Sequence, residues 1–321
     1  VTAPVTTLTV NEIERAFHGD PAMPLLWYLR DLLGQTDTKR GCMTGSCKAC
    51  AVRVDGQTVA SCTIGVGDAT GSRIATFAPY RSGGVAPLGL GIASACTRRS
   101  VLGGLGLAAS GVLLGKFGLP PGAGTKLSDL RLPGQLYAVV SRPPIWGYRP
   151  VSFDAAQALS VGGVRRVFPV LDGIAVVADT TWSALVARDA LAVTWSAGQV
   201  SRFSPYDMPN LDRPEQEFPG ATAYAANGYC RIWSPTDGAV PSVAAALGLD
   251  PERIVHTRTA WTGGSPNPAY ALEAAVISNR TGTPVNVAWT VADDIAARRF
   301  LDDREKTRDA GCDRGDPTSS R

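Results

Sequence analysis

The sequence predicts an α+β chain, with a small strand-rich unit first and larger units of alternating strands and helices after it. Three observations predict this. Four cysteines, Cys42, Cys47, Cys50 and Cys62, bracket one short loop and its neighbouring strands. Two alternating runs flank Asp55-Gly56, a strong hairpin signal. From Leu127 onward, short apolar runs alternate with helical periods that stop at glycines.

A chain of 321 residues has room for two or three domains with full cores. The net charge of +3 is too small for a nucleic-acid surface, and the arginines are scattered without interleaved aromatics. Only two histidines occur, His18 and His256, which excludes a His-rich metal centre. Seven cysteines is an odd number, and four of them fall at metal-ligand spacing, so a disulfide framework fits poorly. The first residue is Val1 rather than Met, so processing and truncation both stay open.

Residues 5–11 alternate as a strand does. Pro24 to Leu33 reads as a helix: Pro24 suits its first turn, leucines recur at helical spacing, and Gly34 ends it. Next comes Gly41-Cys42-Met43-Thr44-Gly45-Ser46-Cys47-Lys48-Ala49-Cys50. Ala51 to Ser61 then forms the hairpin, and Cys62 sits where its second strand ends. This order is consistent with a small β-grasp fold carrying the cysteines at one edge.

The spacing C-x4-C-x2-C with a distant fourth cysteine is the plant-type signature of a [2Fe–2S] cluster. Four thiolates make the cluster anionic, so the loop must aim N–H groups at sulfur. Gly41 and Gly45 are expected to permit the unusual backbone this requires. Zinc is the competing reading, but zinc sites usually use two C-x2-C knuckles, and only Cys47 and Cys50 form one here.

Residues 6–78 resemble the N-terminal ferredoxin-like domain of the small subunit of molybdenum hydroxylases, the xanthine oxidase and isoquinoline 1-oxidoreductase superfamily. The matching text is Leu8–Asn11, Met23–Asp31, Thr38-Lys39, the cysteine loop, Val54-Asp55-Gly56 and Ser61-Cys62. Met43 and Lys48 depart from the pattern, each placing a long side chain beside the cluster. Lys48, a cation near an anionic centre, is expected to raise its reduction potential.

The resemblance implies a second four-cysteine domain after residue 80, but only Cys96 occurs there, so a second cluster is not expected. Residues 81–126 read as a Gly/Ala-rich linker. Within it, Arg98-Arg99 and the apolar run to Pro120-Pro121 resemble a twin-arginine export signal. Val101 to Gly115 falls short of the roughly twenty residues that a membrane span needs. Residues 127–198 resemble the hammerhead domain at the start of the molybdenum-bearing large subunit, through Asp129, Arg142, Pro143 and Ala187–Leu191. Residues 199–300 resemble part of the molybdopterin-binding domain, with a β-α-β-loop-α-β order from Tyr229 to Trp289. Gly263-Gly264 sits where that family holds the pterin cofactor, but Pro266 and Pro268 remove two N–H donors, so molybdopterin is doubtful. Residues 301–321 read as a charged tail.

The chain is therefore expected to be an α+β protein: a β-grasp [2Fe–2S] ferredoxin-like domain at 1–80, then a hammerhead-like α/β domain and a partial molybdopterin-binding-like α/β domain. The resemblance implies an iron–sulfur electron-transfer component of an oxidoreductase whose family oxidises aldehydes or N-heterocycles. Its molybdenum site is incomplete in this chain. Its partners would be a redox protein or a complementary oxidoreductase subunit, with a small-molecule substrate only where a molybdenum site is completed. The alternative is a non-catalytic scaffold or redox-sensing docking module with a structural metal site. The compartment is expected to be cytoplasmic or periplasmic. His256 and Cys230 read as packed residues, and Cys96 and Cys312 have no spaced partners.

Overall fold

The computed structural model describes residues 6–77, 126–143, 147–196, 220–260, 268–290, 292–294 and 297. The twin-arginine stretch, Cys96, Cys312 and the Gly263-Gly264 loop lie outside the described residues.

The N-terminal unit is a five-stranded mixed sheet in the order β2-β1-β5-β3-β4. Its strands are β1 (Thr6–Val10), β2 (Ile13–Phe17), β3 (Ala51–Val54), β4 (Gln57–Ala60) and β5 (Arg73–Thr76). Strands β1 and β5 run parallel, and the other pairs are antiparallel. The β3–β4 hairpin turns at Asp55 and Gly56, both with positive φ (50° and 84°), as a two-residue Asp-Gly loop requires. Leu8, Val10, Val52 and Ile74 pack from the sheet onto Leu25, Trp27, Tyr28 and Leu29.

The expected helix at Pro24–Leu33 is present in a different form. An α-turn, α1 (Leu25–Trp27), passes into a π-helical turn at Tyr28–Leu32. The widened turn is closed by the Leu33 N–H bonding Tyr28 O at 3.1 Å. It brings the buried Arg30 guanidinium onto Thr36 O and Thr38 O, at 2.9 and 2.6 Å. Two carbonyls of the segment leading to the cysteines are thus held by one side chain.

The second unit is a seven-stranded sheet ordered β13-β12-β11-β14-β6-β9-β8. Its members are β6 (Leu136–Ser141), β8 (Val164–Val170), β9 (Gly173–Ala178), β11 (Gly220–Ala226), β12 (Tyr229–Ser234), β13 (Ile254–Arg258) and β14 (Val285–Ala288). A small two-stranded sheet pairs β7 (Pro150–Asp154) with β10 (Ala192–Trp195). The expected division at 198/199 runs through the seven-stranded sheet, because β14 pairs in parallel with β6.

Helices cover both faces. On one side α2 (Ala156–Ser160) and α3 (Thr181–Asp189) bury Ala158, Ala184 and Ala187 against Val139, Val176 and Ala178. Thr180 caps α3 by accepting from the Ser183 N–H at 3.1 Å. On the other side α4 (Ala239–Leu247) and α5 (Ala269–Thr281) cover Ala223, Ala225, Ile232, Val285 and Val287. Both helices stop at left-handed glycines, Gly248 and Gly282.

Four strands were not legible in the sequence: β2, β5, β7 and β11. Strand β7 ends at Asp154, and α2 follows almost directly at Ala156.

The two units touch. Trp182 and Leu185 of α3 pack on the N-terminal core. Asp31 Oδ2 accepts from the Thr181 N–H at 2.8 Å, and Arg131 donates to Arg30 O at 2.9 Å. Thr36 bonds Asp129, and Lys126 pairs with Asp37 at 3.6 Å.

Candidate metal centre

The loop that carries the cysteines hangs between the π-helical turn and β3. It is stitched at its base by Lys39 N–H to Ala49 O (3.2 Å) and Ala51 N–H to Lys48 O (3.0 Å). The hairpin brings the fourth cysteine back: the Ser61 N–H and hydroxyl both bond Cys50 O, at 3.2 and 2.7 Å. Leu26 N–H bonds Ser61 O at 2.9 Å, which fixes the start of α1 to the same place.

The structure arranges the four predicted cysteines as two pairs. Cys42 and Cys47 are half-buried, and each offers its amide to the sulfur of the other. Cys42 N–H lies 3.2 Å from Cys47 Sγ, and Cys47 N–H lies 3.3 Å from Cys42 Sγ. Cys50 and Cys62 are buried together beside Leu26.

Cys42 Sγ receives three further donors: the Thr44 N–H at 3.4 Å, and the Thr44 and Ser46 hydroxyls at 3.2 Å each. Burial pushes the Cys42 thiol up. Hydrogen bonds from Ser46, Thr44 and the Cys47 and Thr44 amides outweigh that and bring it down to about 5. In the second pair, the hydrogen bond with Cys62 draws Cys50 down to about 6, while the same contact raises Cys62. The contact thus favours one thiolate beside one thiol, and iron held by both sulfurs would require both as thiolates.

Gly41 and Gly45 are needed for different reasons. A Cβ on Gly41 would collide with Cys47 Sγ, so Gly41 supplies space and its φ is not positive. Gly45 does have left-handed φ, 81°. Sequence reasoning expected the unusual backbone from glycines. It missed that Met43 (φ 64°) and Lys48 (φ 56°) are left-handed too. Lys48 is exposed, whereas Met43 packs on Cys50, Cys62 and Leu26. The hydroxyl donors Thr44 and Ser46 were also missed; a hydroxyl within two residues of a ligand cysteine is the signal that finds them.

Two thiol pairs, an amide-rich loop and small residues at the closest approach fit a two-iron cluster. Among the described residues, no three His, Cys, Asp or Glu side chains converge on a single-ion site. His256 lies elsewhere, at the sheet edge, with Nε2 2.9 Å from Ser234 Oγ. Cys230 is buried in the second core, and burial pushes its thiol up to about 12.

Residues 8–73 match the family described as the 2Fe-2S iron-sulfur cluster binding domain. The chain is 38% identical over 78 residues to the 6-hydroxypseudooxynicotine dehydrogenase complex subunit beta of Paenarthrobacter nicotinovorans, covering 24% of this chain and 49% of that protein. It is 37% identical over 76 residues to the xanthine dehydrogenase iron-sulfur-binding subunit of Escherichia coli O157:H7, covering 24% and 47%. It is 36% identical over 69 residues to isoquinoline 1-oxidoreductase subunit beta of Brevundimonas diminuta, covering 22% of this chain and 9% of that protein. The chain thus spans less than half the length of these relatives in matched sequence. In solved structures, its fold resembles the aldehyde oxidoreductase from Desulfovibrio gigas, with a TM-score of 0.56 and 18% identity over 90% of this chain and 50% of that one. The aldehyde oxidoreductase from Desulfovibrio desulfuricans gives the same TM-score, 0.56, at 16% identity and the same coverage. Residues 8–73 thus match a 2Fe-2S iron-sulfur cluster binding domain, and in that region the chain is similar to subunits of these dehydrogenases and of isoquinoline 1-oxidoreductase.

Proposed function

We propose that the chain is an electron-transfer component of a molybdenum-hydroxylase-type oxidoreductase. The observation that carries this reading is the pairing of Cys42 with Cys47 and of Cys50 with Cys62 at the edge of a β-grasp sheet. When bound, the cluster supplies one-electron transfer. Cys42, Cys47, Cys50 and Cys62 hold it. The amides of Cys42, Thr44 and Cys47, with the Thr44 and Ser46 hydroxyls, aim positive dipoles at the sulfurs and favour their ionised state. Leu26 and Met43 exclude water from the buried pair.

The second unit is the platform on which this domain is docked, and its likeness to aldehyde oxidoreductase is one of fold. Substrate oxidation, the electron acceptor and any molybdopterin at Gly263-Gly264 belong to an assembly with a redox protein or a complementary subunit. Among the described residues, no helix is long and apolar enough to cross a membrane. The four-cysteine site favours this reading over a non-catalytic scaffold. The test is anaerobic reconstitution of the full chain with iron and sulfide. The expected result is the visible absorption bands and reduced-state EPR signal of a [2Fe–2S] centre, with electron transfer to a dye. A colourless protein that binds zinc alone contradicts it.

A further inference from the structure

We infer that Met43 is a strained cover over the buried half of the cluster site, a positioning residue whose backbone cost is accepted for the sake of its side chain. The inference rests on the cluster reading above and goes beyond it to one residue's role. Two independent observations carry it. Met43 sits at φ 64°, a region that disfavours any residue with a Cβ. Its side chain nevertheless packs against the buried cluster of Leu26, Cys50 and Cys62 and against the core of the N-terminal unit.

The comparison with its neighbours isolates the effect. Gly45 and Lys48 share the left-handed backbone of the same loop. Gly45 has no side chain to place, and Lys48 is exposed. Only Met43 combines the strained backbone with an apolar side chain turned onto two ligand cysteines. Strained residues persist where the surrounding structure holds them for a purpose, and clusters depend on solvent exposure for stability and potential. A long, flexible thioether suits an irregular gap above sulfur atoms. Cys42 and Cys47 are less buried, and the groups on Cys42 Sγ are the polar Thr44 and Ser46 hydroxyls rather than an apolar side chain. The arrangement therefore shields one thiol pair and leaves the other open to solvent or to a partner.

The experiment compares wild type, Met43→Gly and Met43→Leu as the full chain, in two arms. Without metal, iodoacetamide labelling of each cysteine is followed by mass spectrometry. Met43→Gly is expected to speed labelling of Cys50 and Cys62 several-fold, with Cys42 and Cys47 little changed, and Met43→Leu to stay near wild type. The urea midpoint of cluster-free Met43→Gly is expected to exceed that of Met43→Ala, which loses the same packing but keeps a Cβ at the left-handed position. With cluster, iron release to a chelator under anaerobic conditions is expected to be several-fold faster for Met43→Gly only. Unchanged Cys50 and Cys62 labelling in Met43→Gly overturns the inference. A Met43→Gly midpoint at or below that of Met43→Ala overturns the strain. If no variant takes up a [2Fe–2S] cluster, the proposed function fails, and the labelling arm still decides the role of Met43.

Discussion

Replacing Asp31 by alanine and by asparagine separates hydrogen bonding from charge at the seam between the two units. Asp31 Oδ2 accepts from the Thr181 amide at 2.8 Å, in the first turn of α3, where the helix dipole favours negative charge. A hydrogen bond to a charged group contributes about 1.5–3 kcal/mol, and a first-turn charge about 0.3–1 kcal/mol. Burial works against this. It raises the Asp31 pKa above the ordinary carboxylate value, despite the Thr181 hydrogen bond and the nearby Arg131 and Arg30. For the charged form, desolvation therefore outweighs these interactions, and the folded chain favours the protonated carboxyl more than the unfolded chain does.

Asp31→Ala should cost about 1–3 kcal/mol, because it leaves a helix N–H without its acceptor. Asp31→Asn keeps an acceptor without the charge, and should cost less than about 1 kcal/mol. The pH dependence follows from the raised value: the folded chain binds the Asp31 proton more tightly than the unfolded chain. Wild type should gain stability relative to Asp31→Asn as pH falls through the folded-state pKa toward the ordinary value of about 3.9, and lose it as pH rises. Urea unfolding at about pH 7 and about pH 5 reads both effects. Asparagine as costly as alanine, or a wild-type advantage that grows with rising pH, refutes the reasoning.

Three other outcomes follow from the same geometry. Lys48→Gly removes an exposed side chain from a left-handed position (φ 56°) and should stabilise the cluster-free chain by about 1 kcal/mol in urea melts. In the loaded protein it should lower the reduction potential, and an unchanged potential removes the electrostatic role of this lysine. Gly41→Ala places a methyl against Cys47 Sγ, so reconstituted chain should hold far less iron and sulfide, with little change in far-UV circular dichroism. Arg142 lies half-buried between Glu273 (2.5 Å) and Asp293 (3.0 Å), 4.4 Å from the Trp289 ring centroid. Arg142→Met leaves the buried Glu273 carboxylate without this cation, while Asp293 keeps Arg188 at 3.4 Å, and should cost about 3 kcal/mol in thermal unfolding.

Most of the candidate site was legible in the sequence because it is local. Cysteine spacing is set by loop geometry, and Asp55-Gly56 fixes the hairpin that returns Cys62 to the loop. Less legible were features that depend on the rest of the fold. Strand β2 (Ile-Glu-Arg-Ala-Phe) is an edge strand with four exposed residues, so no buried face imposes alternation on it. Strand β11 (Gly-Ala-Thr-Ala-Tyr-Ala-Ala) is buried on both faces, and its small residues have low strand propensity; the sheet and α5 determine it. The π-helical turn leaves leucine spacing almost unchanged over five residues, so periodicity does not distinguish it from an α-helix, and the Arg30 contacts to Thr36 O and Thr38 O that accompany it carry no sequence signature. Left-handed Met43 and Lys48 break the rule that such positions go to glycine, so no local reading finds them. The single sheet joining β6 to β14 could not be read from segments that look like separate domains.

We propose that Cys42, Cys47, Cys50 and Cys62 hold two irons as two thiol pairs. Metal and acid-labile sulfide analysis of the anaerobically reconstituted full chain, with EPR after dithionite reduction, tests it most directly. The account predicts about two irons and two sulfides per chain and a reduced-state [2Fe–2S] signal. It also predicts that Cys47→Ser and Cys62→Ser each destabilise the cluster, while Cys230→Ser leaves it intact. About one zinc per chain, no sulfide and no EPR signal would contradict it.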